Sequence, residues 1–339
     1  MKRQLLRSLR RLARALGHEL VPQQTGAESY RAASHSTETA LPPDAQTWLR
    51  ADHPQLQVLR ERYQRLTSPA TVPSHWNTEF LRGNLDLCYF RGDNAYVWQY
   101  RAAGSDLELR YYLSLLYLKK LDQRGLLSAL GEDGLFGCWK FTFPDHPAIS
   151  RDLLDSVNEL YFLDRHMQIF SRAGLRVLDI GAGYGRLAHR MVTALPQLER
   201  YTCVDAVPES TFLCDYYLRF RQCEAKARSI PLDEIEQALT PGGVDPAVNI
   251  HSFSECTLAA IEWWLAWLKR LRVPVLMIVP NNGDKLLSTE RNRKHLDFLP
   301  ALEAAGYRLK LREPKYLDET MQRLAQKNPD YYFLFELAG

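Results

Sequence analysis

The chain has 339 residues, 46% of them apolar and 24% charged, with 43 Lys and Arg against 40 Asp and Glu. This is the composition of an ordinary globular protein of roughly two domains, and no apolar run approaches the ~20 residues of a membrane helix. The net charge of +3 is uneven: residues 1–20 carry +5 and the rest sum to −2, which excludes a generally basic nucleic-acid binder.

Residues 1–22 read as a basic amphipathic helix, with Leu5, Leu9, Leu12 and Leu16 on one face and Arg3, Arg7, Arg10 and Arg14 on the other. Such a helix lies in the headgroup layer of an anionic membrane, or packs its apolar stripe on a partner or on its own body. An Arg-rich, acid-poor segment is also the composition of a transit peptide. Residues 23–45 are polar and aperiodic, a flexible linker.

The next stretch, 46–170, is mainly helical. Leu56, Leu59, Tyr63 and Leu66 mark one helix that ends before Thr67-Ser68-Pro69; residues 107–122 and 151–170 mark two more. Residues 86–100 alternate and carry aromatics, as a strand pair or an irregular segment, and Arg91-Gly92-Asp93 within them is a turn.

From 171 to the end, strands and helices alternate. Strands are predicted at 175–180, 201–205, 227–230, 247–251, 273–279, 307–311 and 331–337. Helices are predicted after the first turn to 195, at 209–222, at 232–239, from an N-cap at Ser254 to 272, and at 290–304. This order means an α/β domain, a parallel sheet with helices on both faces. The six cysteines show no CxxC spacing, so neither a zinc site nor a disulfide framework is expected, but reduced thiols in a cytoplasmic protein.

The first strand and turn read Val177-Leu178-Asp179-Ile180-Gly181-Ala182-Gly183-Tyr184-Gly185-Arg186. Glycines there let a ligand approach the backbone. The dinucleotide fingerprint wants Gly or Ala where Arg186 stands, and a pyrophosphate would be repelled by Asp179. An acid before the glycines suits a cationic, phosphate-free ligand. Asp205, at the end of the second strand, is placed to accept hydrogen bonds from both hydroxyls of a ribose.

These residues in this order resemble the class I S-adenosylmethionine-dependent methyltransferases. The runs 176–190, 204–212 and 248–256, with 92–99 and 150–166 upstream, narrow the resemblance to a bacterial sugar O-methyltransferase family over roughly residues 50–339. The resemblance implies a Rossmann-like, mostly parallel seven-stranded sheet in 171–339 preceded by the helical, acceptor-shaping 46–170. It implies S-adenosylmethionine as donor, bound by Asp179, Gly181, Ala182, Gly183, Gly185, Asp205 and Ala206. The acceptor it implies is a sugar hydroxyl on a glycan or on a nucleotide-linked or lipid-linked sugar. A non-sugar hydroxyl is the alternative acceptor, and a silent donor-binding protein recruited to a membrane is the alternative to an enzyme.

Methyl transfer to a hydroxyl needs in-line alignment and a base that takes the proton. His251, at the end of the fourth strand, is the expected general base, with Glu255 to orient it, act as base itself or hold a sugar hydroxyl. Each has a plainer role, His251 bonding backbone and Glu255 favouring a helix N-terminus. His189 is expected to be structural. Asp205, Glu255, Asn281, Asn282 and Asp284 offer oxygens of the kind magnesium takes, without a motif for it. Trp263, Trp264 and Trp267, at helical spacing, are read as core. Tyr96, Asn158 and Tyr161 offer polar groups to donor or acceptor.

The expected location is cytoplasmic, with peripheral contact at the inner face of a membrane through residues 2–20. Deleting residues 1–22 is predicted to abolish co-sedimentation with anionic vesicles while sparing activity on a soluble acceptor. Equal sedimentation of both forms would assign the helix to packing.

Overall fold

The computed structural model describes residues 41–97, 107–144, 146–325 and 330–338. The basic helix at 1–22 and most of the linker at 23–45 lie outside them. Seven strands form one sheet: β1 (Arg176–Ile180), β2 (Arg200–Val204), β3 (Ala227–Ile230), β4 (Pro246–Ile250), β5 (Val275–Val279), β6 (Tyr307–Pro314) and β7 (Tyr331–Leu337). Their order is β3-β2-β1-β4-β5-β7-β6. The first five are parallel, while β7 runs antiparallel between β5 and β6.

The alternation of side chains along a strand divides the core into two layers. Leu276 and Ile278 of β5 join one cluster with Trp264, Leu265 and Leu268. Met277 and Val279 join the other, with the helices Leu107–Leu121, Arg151–Met167 and Arg186–Ala194. Strands this apolar must be covered on both faces, and helices cover them. The chain order reverses between β1 and β4, so a crevice opens at the carboxyl ends of β1, β2 and β4.

Most predicted elements occur close to their expected bounds, and three differ. Residues 86–97 form bends and turns, the irregular of the two forms left open. Residues 232–239 split into a 3-10 turn and the single helical turn Ile235–Ala238. The helix after β4 begins at Leu258 and not near Ser254: Thr257 is its N-cap, accepting from the Ala260 amide at 3.2 Å. Ser254 instead accepts from the Asn281 amide at 3.1 Å, joining the ends of β4 and β5. The helix expected at 290–304 is only Leu299–Ala304. Upstream, Leu287 bridges Asp297, and Arg293 has φ +63°, a reversal no helix tolerates. A helix at Glu319–Ala325 was not expected.

The segment before the sheet is fastened to it by a buried ionic cluster. The Arg91 guanidinium is 1% exposed and makes a two-pronged bond to Glu132 at 2.9 and 2.8 Å. It also donates to Asp152 at 3.4 Å and Asp133 at 3.3 Å. Glu132 in turn accepts from Arg190, on the helix after β1, at 3.0 Å. Burial pushes the Glu132 carboxyl up, but Arg91 and Arg190 outweigh it and hold it well below the usual carboxylate range. Its contribution to stability is therefore present above about pH 4.3, the unfolded-state value, and lost as the pH falls.

Arg91→Ala leaves Glu132 and Asp152 buried without their common partner and should cost about 3–5 kcal/mol in urea unfolding. Arg91→Lys should recover little of this, since an ammonium cannot reproduce the planar fork. A loss under 1 kcal/mol for Arg91→Ala would show that the cluster does not hold the segment.

Candidate functional site

One cavity of about 1250 Å³ opens at the carboxyl ends of β1, β2 and β4. It is larger than the roughly 300–1,000 Å³ of a site for one small ligand, so it has room for two. Asp179, Gly181, Ala182, Gly183, Asp205, Ala206, His251 and Glu255 all line it. Gly185 does not; it begins the next helix at φ +86°, where a Cβ would lie 2.9 Å from the Cys214 sulfur. Its smallness serves packing between two helices.

At Gly181 the chain must leave β1 beside the loop after β4. Its φ is +74°, and a Cβ would lie 2.1 Å from Ser252 Oγ. Only glycine satisfies both demands. Gly183 donates its amide to Asp205 Oδ2 at 3.0 Å, and Val207 donates to Oδ1 at 2.9 Å. The Asp205 carboxylate is thereby held rigidly and keeps lone pairs for a ligand. Asp179 is buried and accepts the Tyr201 hydroxyl at 2.8 Å. Burial pushes both carboxyls up to about 7, against the Tyr201 hydrogen bond at Asp179 and the backbone amides at Asp205.

Arg186, at the position that departs from the dinucleotide fingerprint, is not available to an anion. It forks onto Glu159 at 2.8 and 2.9 Å and reaches Ser156 at 2.8 Å. The wall formed by the glycine turn thus presents two carboxylates and backbone, with its nearest cation neutralised.

Across the crevice, β4 ends at Ile250 and His251 follows it at φ +68°. Positive φ at a non-glycine residue stores strain. Asn249, wholly buried, imposes it: its amide donates to Ile180 O at 2.8 Å and its oxygen accepts from the Phe253 amide at 2.9 Å. The His251 Nδ1 is buried and has no hydrogen-bond partner among the described residues. Burial pushes the ring down to about 4, opposed by Asp330 and reinforced by Arg151, so it is neutral near pH 7. Glu255 accepts from the Trp76 indole at 2.6 Å and from Asn281 at 3.0 Å. Burial raises its carboxyl above the usual value, with the Trp76 bond opposing.

Other expected residues fall elsewhere. Asp284 pairs with Arg312 at 3.2 Å. Among the described residues no group of three or more His, Cys, Asp or Glu is arranged to hold a metal ion. Tyr96 lines the cavity, but Asn158 donates to Lys315 O at 2.9 Å and Tyr161 to Asp122 at 2.6 Å, and neither lines it. His189 is neutralised by burial and by Arg190 and lies 3.2 Å from the Tyr217 hydroxyl. Of the tryptophans, Trp264 is core and also touches the cavity, while Trp263 and Trp267 are partly buried. Sequence reasoning missed Trp76, Asn249 and Arg151. Trp76 lies in a stretch without periodicity, and only the fold brings it to Glu255.

Sheet order and glycine turn define the class: this is the Rossmann-like fold of the class I methyltransferases. The chain matches no family model and no curated protein. Solved structures similar to it include the [4+2]-cyclase SpnF, at 13% identity over 67% of this chain and 95% of that one, TM-score 0.40. A geranyl diphosphate methyltransferase in complex with SAM is similar at 13% identity, over 55% of this chain and 86% of that one, TM-score 0.40. The phosphoethanolamine N-methyltransferase 2 of Haemonchus contortus is similar at 15%, over 52% of this chain and 51% of that one, TM-score 0.38. Nothing about substrate or chemistry is transferred from likenesses this distant, because a fold hosts many reactions.

The raised Asp179 carboxyl has a consequence for stability. A carboxyl whose folded value lies near 7 contributes most below its unfolded value of about 3.9, and that contribution is lost as the pH rises through 7. Asp179→Asn keeps an acceptor for Tyr201 and has no charge to bury. The ligand-free variant should be more stable than the parent at pH 8, on the order of 2–4 kcal/mol, with the gap falling to roughly a third by pH 5 and closing near pH 4. Thermal unfolding at the two pH values measures it, and an equal gap at both would refute it.

Proposed function

We propose that this chain is an S-adenosylmethionine-dependent O-methyltransferase whose acceptor is a sugar hydroxyl. The observation that carries the reading is the shared cavity. Asp179, Asp205 and the glycine turn form one wall, and a neutral histidine with an unpartnered nitrogen stands at the end of β4. The residues fit the donor: it carries an amino group, a sulfonium and a ribose, and has no phosphate for the carboxylates to repel. Gly181, Ala182 and Gly183 form the tight turn whose Gly183 amide fixes Asp205, Asp205 accepts from the ribose hydroxyls, and Asp179 favours the cationic end. Ala206 lines the same wall.

When bound, S-adenosylmethionine supplies a methyl carbon that forms a bond to the acceptor oxygen as the carbon–sulfur bond breaks, its electron pair remaining on sulfur. His251, whose ring lines the cavity and is neutral near pH 7, takes the hydroxyl proton. Glu255, fixed by Trp76 and Asn281, accepts a hydrogen bond from the acceptor and holds it in line. The sugar rests on the resemblance of residues 92–99, 150–166 and 248–256 to the sugar O-methyltransferases. The basic head at 2–20 would place the enzyme at the inner face of a membrane, near lipid-linked acceptors.

Calorimetric titration should show donor binding by the parent and at least a tenfold loss in Asp205→Ala; no heat from the parent would overturn the reading. A mass-spectrometric screen of nucleotide sugars and lipid-linked glycans should then find a methylated product. With that acceptor, His251→Ala should bind donor within about twofold of the parent and lose about 10²–10⁴ in turnover. Undiminished turnover would remove His251 from the mechanism.

A further inference from the structure

Two aromatic rings cross the cavity between its two walls. Tyr96 lies over the glycine turn: a Cβ on Gly183 would stand 3.2 Å from its ring. Its hydroxyl shares a 2.8 Å hydrogen bond with Ser210, on the helix Pro208–Phe220 that follows Asp205. Trp76 lies beside it, ring centroids 5.0 Å apart and planes inclined at 35°. The Trp76 indole nitrogen donates to Glu255, at the end of β4, at 2.6 Å. The pair therefore runs from the donor wall at Gly183 to the acceptor wall at Glu255, and both rings line the cavity.

In an in-line transfer the sulfur and its methyl group must lie between those walls. A cation there faces aromatic surfaces whose quadrupole attracts it. Among the described residues no Lys or Arg stacks on either ring, although such stacking occurs elsewhere, as with Arg219 over Trp48 at 4.6 Å. Each ring is also fixed by a hydrogen bond at its polar edge, to Ser210 or to Glu255, so its orientation does not depend on a ligand.

We propose that Tyr96 and Trp76 form an aromatic wall that recognises the positive charge of the donor sulfonium and so selects the charged donor over its neutral thioether product. This rests on the proposed methyltransferase reading and deepens it. The wall does more than exclude water. Once the methyl group has left, sulfur is neutral, the attraction is gone, and the spent donor is released more readily. The anchor comes from residues ahead of the sheet, so that segment is part of the donor site.

The test compares affinities for S-adenosylmethionine and S-adenosylhomocysteine by calorimetry, without an acceptor. Tyr96→Leu should narrow the ratio of the two affinities roughly three- to tenfold, and Tyr96→Phe, which keeps the ring, should leave it within twofold of the parent. Trp76→Phe should narrow it less than Trp76→Leu, tryptophan being the strongest cation–π partner. Where a leucine variant does not fold, the Trp76→Phe ratio decides, and an unchanged value counts against the proposal. If the variants weaken both ligands by one factor, the rings act by shape alone and the inference fails while the methyltransferase reading stands. If the parent binds neither ligand, both fall.

Discussion

A fully buried guanidinium, that of Arg91, joins parts of this molecule that regular secondary structure does not. Residues 86–97 have no ladder of backbone hydrogen bonds to hold them. Arg91 substitutes for it by forking onto Glu132 and reaching Asp152, whose carboxylate also receives the hydroxyl of Tyr184. Tyr184 belongs to the glycine turn after β1. One charge cluster therefore sets the position of the turn, of the helix Arg151–Met167 and of the segment that carries Tyr96. Burying such charges is costly, and the cluster stands only because every member has a partner. Its worth lies in geometry more than in net stability, since it brings a non-repetitive segment into register with a strand end.

The same reasoning explains why the crevice is electrostatically tense. Asp179 and Asp205 are held in surroundings that disfavour their charge. His251 is held in strained backbone by Asn249, with a buried nitrogen unpartnered. A chain selected for stability alone would have none of these features. A cation entering beside the two carboxylates would restore their charge, so the burial cost that the folded protein bears is one such a ligand relieves.

How much of this was legible in the sequence follows from what each feature depends on. β1, β2 and β5 are short apolar runs whose burial on both faces leaves no alternative, and the glycine turn is local chemistry, so both were readable. Asp179, the glycine turn and Asp205 lie within thirty positions of one another at two strand ends, and the strand order places them on one wall of the cavity. The helix expected at 290–304 failed because its apolar residues, Leu296, Leu299 and Leu302, have helical spacing while the loop around Arg293 is closed by the Leu287–Asp297 bridge. Ser254 looked like a cap because capping needs only a hydroxyl, and Thr257, three residues on, is an equally good one. Arg91 was read as a turn residue. Its partners Glu132 and Asp152 lie 41 and 61 positions away, and no local pattern encodes a contact at that range.

The upstream segment covers one face of the sheet with its helices Leu107–Leu121 and Arg151–Met167, and it is held there at three further places. Arg91 is bound through Glu132 to Arg190 on the helix after β1, Tyr96 is pressed against Gly183, and Trp76 holds Glu255. These contacts join the segment to three different parts of the sheet domain. Between Trp76 and Tyr96, Thr78, Leu81 and Arg82 also line the cavity, and Arg82 is exposed. Side chains there can change without disturbing the three anchors.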